Sequence, residues 1–277
     1  MMLALLLAAD ALTAPIHCTH CAEWNRPQRP FRVVGNTFYV GVEGLASILV
    51  TSPQGHVLLD GALPQSAPLI ERNVRALGFR LEDIKVIVLS HAHFDHAGGI
   101  AAIQRDSGAE VAASPANAKA LAEGRVAPDD PLAADESSAH FPRAARVRAL
   151  ADGEAVQVGP LRVIAHFTPG HTPGSTTWTW RSCERERCFD VVYADSLNAI
   201  SEGDFKFAPI ADSFRASIDR VASLPCDVLL TVHPDFARLR EKLNAGASFA
   251  GSGECRNYAT DARRRLEKRL ASESTTR

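Results

Sequence analysis

The stretch Ser90-His91-Ala92-His93-Phe94-Asp95-His96 follows the apolar run Ile84–Leu89 and leads into Gly98-Gly99. It places four potential metal ligands, three imidazoles and one carboxylate, within six residues. The β-branched run predicts a buried strand, and a helix is predicted from about Ala97 to Ser107. The ligands would then occupy the loop after a strand, where α/β proteins commonly bind their substrates. The alternative is that they are ordinary polar loop residues. Placing four ionisable groups beside a buried strand costs free energy, however, unless something binds them.

Two more histidines follow apolar strands further along the chain. They are His171 in Thr168-Pro169-Gly170-His171 and His233 in Thr231-Val232-His233-Pro234. Imidazole and carboxylate groups suit zinc, and a catalytic zinc usually keeps about three protein ligands and an open position for water. Six ligands exceed the needs of one such ion, so the pattern predicts two zinc ions.

These positions resemble the HxHxDH motif and the later single histidines of the metallo-β-lactamase superfamily. Other segments are similar to class B β-lactamases of the third subclass, namely Ala22–Asn25, Tyr39–Gly41, Ser47–Ser52 and Tyr193–Leu197. The resemblance runs from about Ala22 to Leu270. HxHxDH alone identifies only the superfamily, which also contains thioesterases, lactonases and nucleases, so the added segments select the lactamase.

The strand and helix pattern restarts after Arg146, so the chain has two halves of similar β-then-α order. This pattern predicts an α/β protein with a sheet core and helices outside. The resemblance implies the αβ/βα four-layer sandwich of the superfamily, with two β-sheets packed face to face, helices outside and metals at one edge. No linker divides the chain, and a single domain is predicted over residues 15–277.

Local periodicity predicts the individual elements. Strands besides the one at 84–89 are predicted at about 31–42, 45–51, 56–60, 110–113, 147–150, 155–158, 161–167, 176–180, 189–194 and 227–232. Helices besides the one at 97–107 are predicted at about 67–77, 115–123 and 213–223, with a last helix after Cys255. Gly124 to Arg143 has no clear period and predicts a long loop, which in a compact domain is usually functional or mobile.

The resemblance also implies an activity, which is zinc-dependent hydrolysis of the β-lactam amide bond by a hydroxide that bridges two zinc ions. Small-molecule β-lactams, including penicillins, cephalosporins and carbapenems, are the expected substrates. Asp95 would have a catalytic task in orienting the hydroxide. The ligands of the first zinc would be His91, His93 and His171. The ligands of the second would be Asp95, His96 and His233.

Four further residues are candidates around the metals. Asp60 and Asp195 end apolar strands, where their carboxylates can fix the tautomers of ligand histidines. In thioesterase-like relatives an aspartate in the region of Asp195 bridges both metals, so its role stays open. Ser196 matches a serine that holds the substrate carboxylate in the third subclass, or it is a plain turn residue. The amide of the nearby Asn198 can assist.

Composition and charge limit the partners. The chain has 277 residues, is 46% hydrophobic and carries a formal net charge of -2. A nucleic-acid-binding surface normally shows a basic excess, so no nucleic acid partner is expected. Met1 to Ala14 is too short to span a bilayer and is typical of a secretory signal, with a disordered start as the alternative. Nothing indicates an obligate assembly, so a monomer without a membrane span is expected.

Six cysteines, an even number, indicate an oxidising compartment and a periplasmic or secreted protein. Cys183 and Cys188 flank a polar turn and are predicted to close a hairpin. This pair and the pair formed by Cys226 and Cys255 resemble disulfides of the third subclass.

The sequence gives less information on the pairing of the N-terminal cysteines, Cys18 and Cys21. Some similar enzymes pair an N-terminal cysteine with one in a Gly-x-Cys-Gly segment, but Glu43 stands at that position here. Cys18 and Cys21 are therefore expected to pair locally or not at all, and a small metal-binding tract with His17 and His20 is the alternative.

Two other functions compete with the lactamase. A thioesterase or lactonase has the same metal core, and Ser196 together with Glu23-Trp24-Asn25 favours the lactamase over it. Trp24 is expected to wall the pocket, although a tryptophan used only for packing is equally compatible. A non-catalytic metal-binding module is disfavoured because all six ligands are present.

Overall fold

The computed structural model describes residues 10–136 and 138–275. Most of the predicted signal segment 1–14 lies outside the described residues, because these begin at residue 10. No described helix is long and apolar enough to cross a membrane.

The described strands, in chain order, are β1 (Phe31–Val34), β2 (Thr37–Tyr39), β3 (Ile48–Ser52), β4 (Gly55–Leu59), β5 (Ile84–Val88), β6 (Glu110–Ala113), β7 (Val147–Ala149), β8 (Ala155–Val158), β9 (Leu161–Phe167), β10 (Thr176–Glu184), β11 (Arg187–Ala194) and β12 (Val228–Thr231). The described α-helices are α1 (Cys21–Trp24), α2 (Ala67–Ala76), α3 (Phe94–Ala97), α4 (Ile100–Ser107), α5 (Pro115–Glu123), α6 (Ala211–Ser223), α7 (Leu239–Asn244) and α8 (Glu254–Thr275).

The strands form two mixed sheets. The first contains seven strands in the order β1 to β7, and the second contains five in the order β12-β11-β10-β9-β8. Strands β4 to β7 pair in parallel, as do β11 and β12, whereas the other neighbours are antiparallel. Because parallel strands end at the same edge of a sheet, the loops that follow β4, β5, β11 and β12 gather polar residues.

Three apolar cores separate four layers of structure. The central core lies between the two sheets and contains Trp178. A second core packs the first sheet against helices α2 and α4 through Ile70 and Ile103. The third packs the second sheet against α6 and α8 through Phe214 and Leu266. This arrangement is the αβ/βα sandwich that the sequence predicted, and that prediction is confirmed.

Two predicted elements have different boundaries. The strand predicted at 31–42 is instead a hairpin of β1 and β2, because Gly35 adopts a positive φ of 49° that turns the chain. The helix predicted over 97–107 is instead two helices, α3 from Phe94 and α4 from Ile100, so Asp95 and His96 lie on the short helix α3 and not on the loop. It stops at Gly98-Gly99, where a Cβ on Gly99 would lie 2.2 Å from the carbonyl oxygen of Gly61.

All six cysteines are paired. Cys183 and Cys188 are cross-strand neighbours in the hairpin of β10 and β11, as expected. Another disulfide joins Cys226, before β12, to Cys255 on α8. The third is local, between Cys18 and Cys21, which resolves the open alternative in favour of a disulfide. Three bridges are typical of proteins from oxidising compartments.

A pair of carboxyl groups between α2 and α4 gives a prediction about stability. Burial, together with a hydrogen bond to Asp106, raises the pKa of Glu71 to about 7. Arg105 holds the pKa of Asp106 below its ordinary value. Arg75 lies 3.4 Å from Glu71 but is half exposed, so its charge only partly offsets the burial.

Because the folded pKa of Glu71 is raised, its protonated form stabilises the fold at low pH, and this contribution is lost as the pH rises from about 4.5 to about 7. We expect Glu71→Gln to raise the free energy of unfolding at pH 8 by about 1–2 kcal/mol, after discounting for solvent screening. The same variant should be neutral at pH 4.5. Urea unfolding at both pH values measures the difference, and an equal change at both would contradict the assignment.

Candidate metal centre

The predicted ligands meet at one edge of the sandwich. His91 and His93 follow β5, and Asp95 and His96 lie on α3 directly after them. His171 comes from the loop between β9 and β10, which lies in the neighbouring sheet. His233 follows β12 of the same sheet, so the geometry brings together side chains that are up to 142 residues apart in the sequence.

Three histidines form a compact triad. The ring centroids of His91, His93 and His171 lie 4.7 to 4.9 Å from one another, and the rings are steeply inclined to each other, with interplanar angles from 75° to 89°. One nitrogen of each ring faces the others within 4.8 Å. Such convergence of three imidazoles is the arrangement in which three protein ligands bind one zinc.

A second cluster surrounds the carboxylate of Asp95. Its Oδ2 atom lies 3.3 Å from His96 Nε2 and 3.4 Å from His233 Nε2. His91 is close enough to form a ligand group with Asp95 and His96 as well, so it lies between the two clusters. The six predicted ligands thus form one continuous patch.

The ligand histidines are oriented by contacts on their outer sides. Nδ1 of His91 lies 2.6 Å from Asp195, Nδ1 of His171 lies 2.9 Å from the carbonyl oxygen of Asn198, and Nδ1 of His233 lies 3.3 Å from that of Gly44. Each partner is an acceptor, so each Nδ1 carries the proton. The Nε2 lone pairs are left to face the cleft, which is the state needed for metal binding.

His96 gives the clearest sign that a cation fits. Its ring is fully buried, yet neither Nδ1 nor Nε2 has a hydrogen-bond partner in the described structure. Buried polar atoms are almost always satisfied, so an unsatisfied imidazole facing a carboxylate points to a missing ligand. A metal held by Asp95 and His96 Nε2 would satisfy it.

Two of the triad histidines, His91 and His171, are neutral. Burial, followed by the neighbouring ring of His96, holds the pKa of His91 well below its ordinary value. Burial and His93 likewise lower the pKa of His171 to about 3. Neutral imidazole is the form that binds zinc, so no proton has to be displaced from these two rings near neutral pH.

Asp95 and His96 form an oppositely charged pair. Burial alone would raise the pKa of Asp95, but His96 and the hydrogen bond from His233 hold it well below its ordinary value. Burial would lower the pKa of His96, but Asp95 and Asp60 raise it to about 10. Metal binding at this cluster would therefore release the His96 proton.

The two aspartates predicted around the metals have different surroundings. Asp195 lies against His91, and its Oδ2 atom is buried without a partner. Burial raises the pKa of Asp195 to about 7, although hydrogen bonds from Ser175 and Ser196 oppose this. Asp60 Oδ2 lies 3.6 Å from His96 Nδ1, too far for a hydrogen bond, and accepts bonds from other groups instead.

The clusters open into a cleft of about 460 Å³, a volume typical of small-molecule sites. Ser196 and Asn198, the two predicted substrate-binding residues, both line it. Apolar walls come from residues that include Trp24, Ile200 and Phe236, and the last two are 54% and 41% exposed. An organic ligand can therefore bury apolar groups beside the metal ligands.

Trp24 walls the cleft because the N-terminal segment is held down. Its ring lies 5.2 Å from that of His233, and a Cβ on Gly44 would lie 2.5 Å from its Cδ1 atom. Glu43 binds Arg26 at 2.6 Å and Arg240 at 2.5 Å. Ion pairs of Glu43 therefore fasten this segment to the rest of the chain.

One contact was not predicted from the sequence. Asp130, in the long loop after α5, lies 2.9 Å from Nε2 of His93, and both side chains are buried. Its neighbour Leu132 lines the cleft. The adjacent Asp129-Asp130 pair in an aperiodic loop gave no sign of this, because the contact depends on how the loop folds back over the site.

Residues 40–233 match the family described as the metallo-beta-lactamase superfamily. The chain belongs to this superfamily. Among solved structures, Rm3 metallo-beta-lactamase is 48% identical, with 93% of this chain and 99% of that one covered and a TM-score of 0.90. MEM-A1, a subclass B3 metallo-beta-lactamase isolated from a soil metagenome library, is 45% identical, with 92% and 100% covered and a TM-score of 0.88.

A more distant relative is named for a different activity. The hydroxyacylglutathione hydrolase of Pseudomonas aeruginosa (strain LESB58) is 30% identical over 181 residues, which is 59% of this chain. The chain spans only 57% of that relative's length. The predicted resemblance to the third subclass is confirmed. The chain is a hydrolase of the metallo-beta-lactamase superfamily with a zinc-type metal site.

Proposed function

We propose that this chain hydrolyses the amide bond of β-lactams in a zinc-dependent reaction. The observation that carries the proposal is coverage: the chain spans 99–100% of the two metallo-beta-lactamases described above but 57% of the hydroxyacylglutathione hydrolase. Thioester or lactone hydrolysis is the second candidate, supported by the 30% identity to the hydroxyacylglutathione hydrolase.

Two zinc ions are proposed, with the ligand sets predicted from the sequence. His91, His93 and His171 would hold the first, and Asp95, His96 and His233 the second. Bound zinc would polarise the lactam carbonyl and lower the pKa of its bound water to about 7. The ionised Asp95 would orient the attacking oxygen through its own Oδ atoms and accept a hydrogen bond from it.

The remaining residues of the cleft would bind and orient the substrate. Ser196 and Asn198 line it beside His171, and their hydroxyl and amide groups can donate hydrogen bonds to the substrate carboxylate. Asp195 would orient His91 from the side away from the cleft, whereas Asp60 would hold Ser90, the residue before His91, and not a histidine. Trp24 and Phe236 would exclude water from the apolar part of the substrate.

The test is hydrolysis of a carbapenem by the zinc-loaded protein, followed as loss of the β-lactam absorbance. Turnover is expected, chelator should abolish it, and added zinc should restore it. A thioester of glutathione, assayed in parallel, is expected to be hydrolysed far more slowly. Turnover that persists at full chelation would contradict the metal role, and faster hydrolysis of the thioester would transfer the proposal to the second candidate.

The protein is proposed to act in the periplasm or outside the cell, after removal of residues 1–14. The three disulfides support an oxidising compartment. It is proposed to be a monomer. N-terminal sequencing of the exported protein and its mass in solution test these points, and a retained N-terminus or a dimer mass would contradict them.

A further inference from the structure

The long loop between α5 and β7 contains a carboxylate that has no role in the proposed reaction. Asp130 is 5% exposed, and its Oδ1 atom accepts the backbone N–H of Leu132 at 2.9 Å. The same atom lies 2.9 Å from Nε2 of His93, which is 2% exposed. A carboxylate can only accept, so Nε2 of His93 carries the proton.

This contact distinguishes His93 from the other ligand histidines. His91, His171 and His233 have their Nδ1 atoms engaged on the outside and face the cleft through Nε2. His93 is engaged through Nε2, so its Nδ1 atom is the one left for a metal. A neutral imidazole has one N–H, and a fixed acceptor at one nitrogen selects the tautomer and the ring orientation.

The loop around Asp130 also forms part of the cleft. Leu132 lines the cleft two residues after Asp130. The carbonyl oxygen of Pro131 accepts the N–H of Glu202 at 2.9 Å, so the loop is tied to the segment that carries Asn198 and Ile200. Backbone bonds of Asp130 itself, to Ala127 and Ala133 (3.0 Å each), hold this turn together.

We propose that Asp130 is a positioning residue that joins the metal centre to the wall of the cleft. Its carboxylate fixes His93 in the Nε2–H tautomer and, through the same oxygen, holds the turn that presents Leu132 to the substrate. Loss of this carboxylate would therefore weaken metal binding and loosen the substrate wall together. The inference rests on the proposed metal function but not on the identity of the substrate.

The first test compares Asp130→Asn with Asp129→Asn, which removes the same charge from an exposed neighbour. Zinc affinity, measured by competition with a chromogenic chelator, is expected to fall about 10–100-fold in Asp130→Asn, as is typical when the partner of a ligand histidine is lost. It should stay within about twofold in Asp129→Asn. Equal affinity of the two variants would overturn the proposal.

Turnover supplies a second readout. In Asp130→Ala at saturating zinc, KM for a β-lactam is expected to rise more than kcat falls, because no side-chain oxygen remains to accept the N–H of Leu132. An unchanged KM would overturn the coupling to the cleft wall. If the wild-type protein hydrolyses no β-lactam, the proposed function fails, but the zinc affinities still decide the role of Asp130.

A third measurement needs no variant and therefore does not depend on whether Asp130→Asn folds. Long-range proton–nitrogen correlation spectra of the zinc-loaded wild-type protein report which nitrogen of each histidine is protonated. His93 is expected as the Nε2–H tautomer and His91 as the Nδ1–H tautomer. An Nδ1–H tautomer at His93 would overturn the proposal.

Discussion

Asp95→Asn is expected to lower kcat/KM for a β-lactam by about 10³-fold, within the range for loss of a positioned acid or base. Asp95 is the carboxylate among the proposed ligands, and its Oδ2 atom lies within 3.4 Å of two ligand histidines. An amide of the same shape keeps the packing but loses the negative charge that pairs with His96. Kinetics at saturating zinc, with zinc content measured in parallel, separate the loss of chemistry from the loss of metal.

The control for this variant is Asp212→Asn, which removes one charge from a fully exposed position on α6. Its kcat/KM should match that of the wild type. With chelator present, the free energy of unfolding of Asp95→Asn is expected to fall, because removing one partner of a buried ion pair leaves the charge of His96 without its counter-charge. Near-normal hydrolysis by Asp95→Asn would remove Asp95 from the reaction.

Much of the metal centre could be predicted from the sequence because the signals are local. Four ligands lie within six residues after a buried strand, and such strands end at a common edge. His171 and His233 also follow strands, so they were expected at the same edge. Periodicity predicted a sheet core with helices outside, and the family resemblance implied the four-layer sandwich, although the turn at Gly35 and the early start of α3 at Phe94 were missed.

What the sequence could not show depends on contacts between distant segments. The bond between His93 and Asp130 spans 37 residues and ends in a loop without periodicity. The carboxyl pair of Glu71 and Asp106 joins two helices whose relative position no local pattern encodes. Which nitrogen of each histidine faces the proposed metal site is also set by such contacts, so the residue types indicated the candidate ligands but not their orientation.

Asp60 is placed to affect stability more than chemistry. It follows β4 with a positive φ of 61°, a conformation that aspartate tolerates better than most residues. Its carboxylate accepts the backbone N–H and the hydroxyl of Ser90 at 2.7 and 2.6 Å and the hydroxyl of Tyr193 at 2.7 Å. Ser90 follows a strand of the first sheet and Tyr193 lies in the second, so one carboxylate links both sheets beneath the metal ligands.

Asp60→Ala is therefore expected to lower the free energy of unfolding by about 3–5 kcal/mol, because it leaves buried donors without an acceptor. Tyr193→Phe removes one of the three donors and keeps the carboxylate satisfied by Ser90, so it should cost only about 1–2 kcal/mol. Urea unfolding with chelator present measures both without a contribution from bound metal. A loss below about 1 kcal/mol in Asp60→Ala would mean that water replaces the carboxylate between the sheets. Tyr193→Phe leaves both bonds to Ser90 in place, whereas Asp60→Ala removes them. A larger loss of unfolding free energy in Asp60→Ala would therefore indicate that the bonds to Ser90, directly before the first proposed ligand, help to hold the metal motif in place.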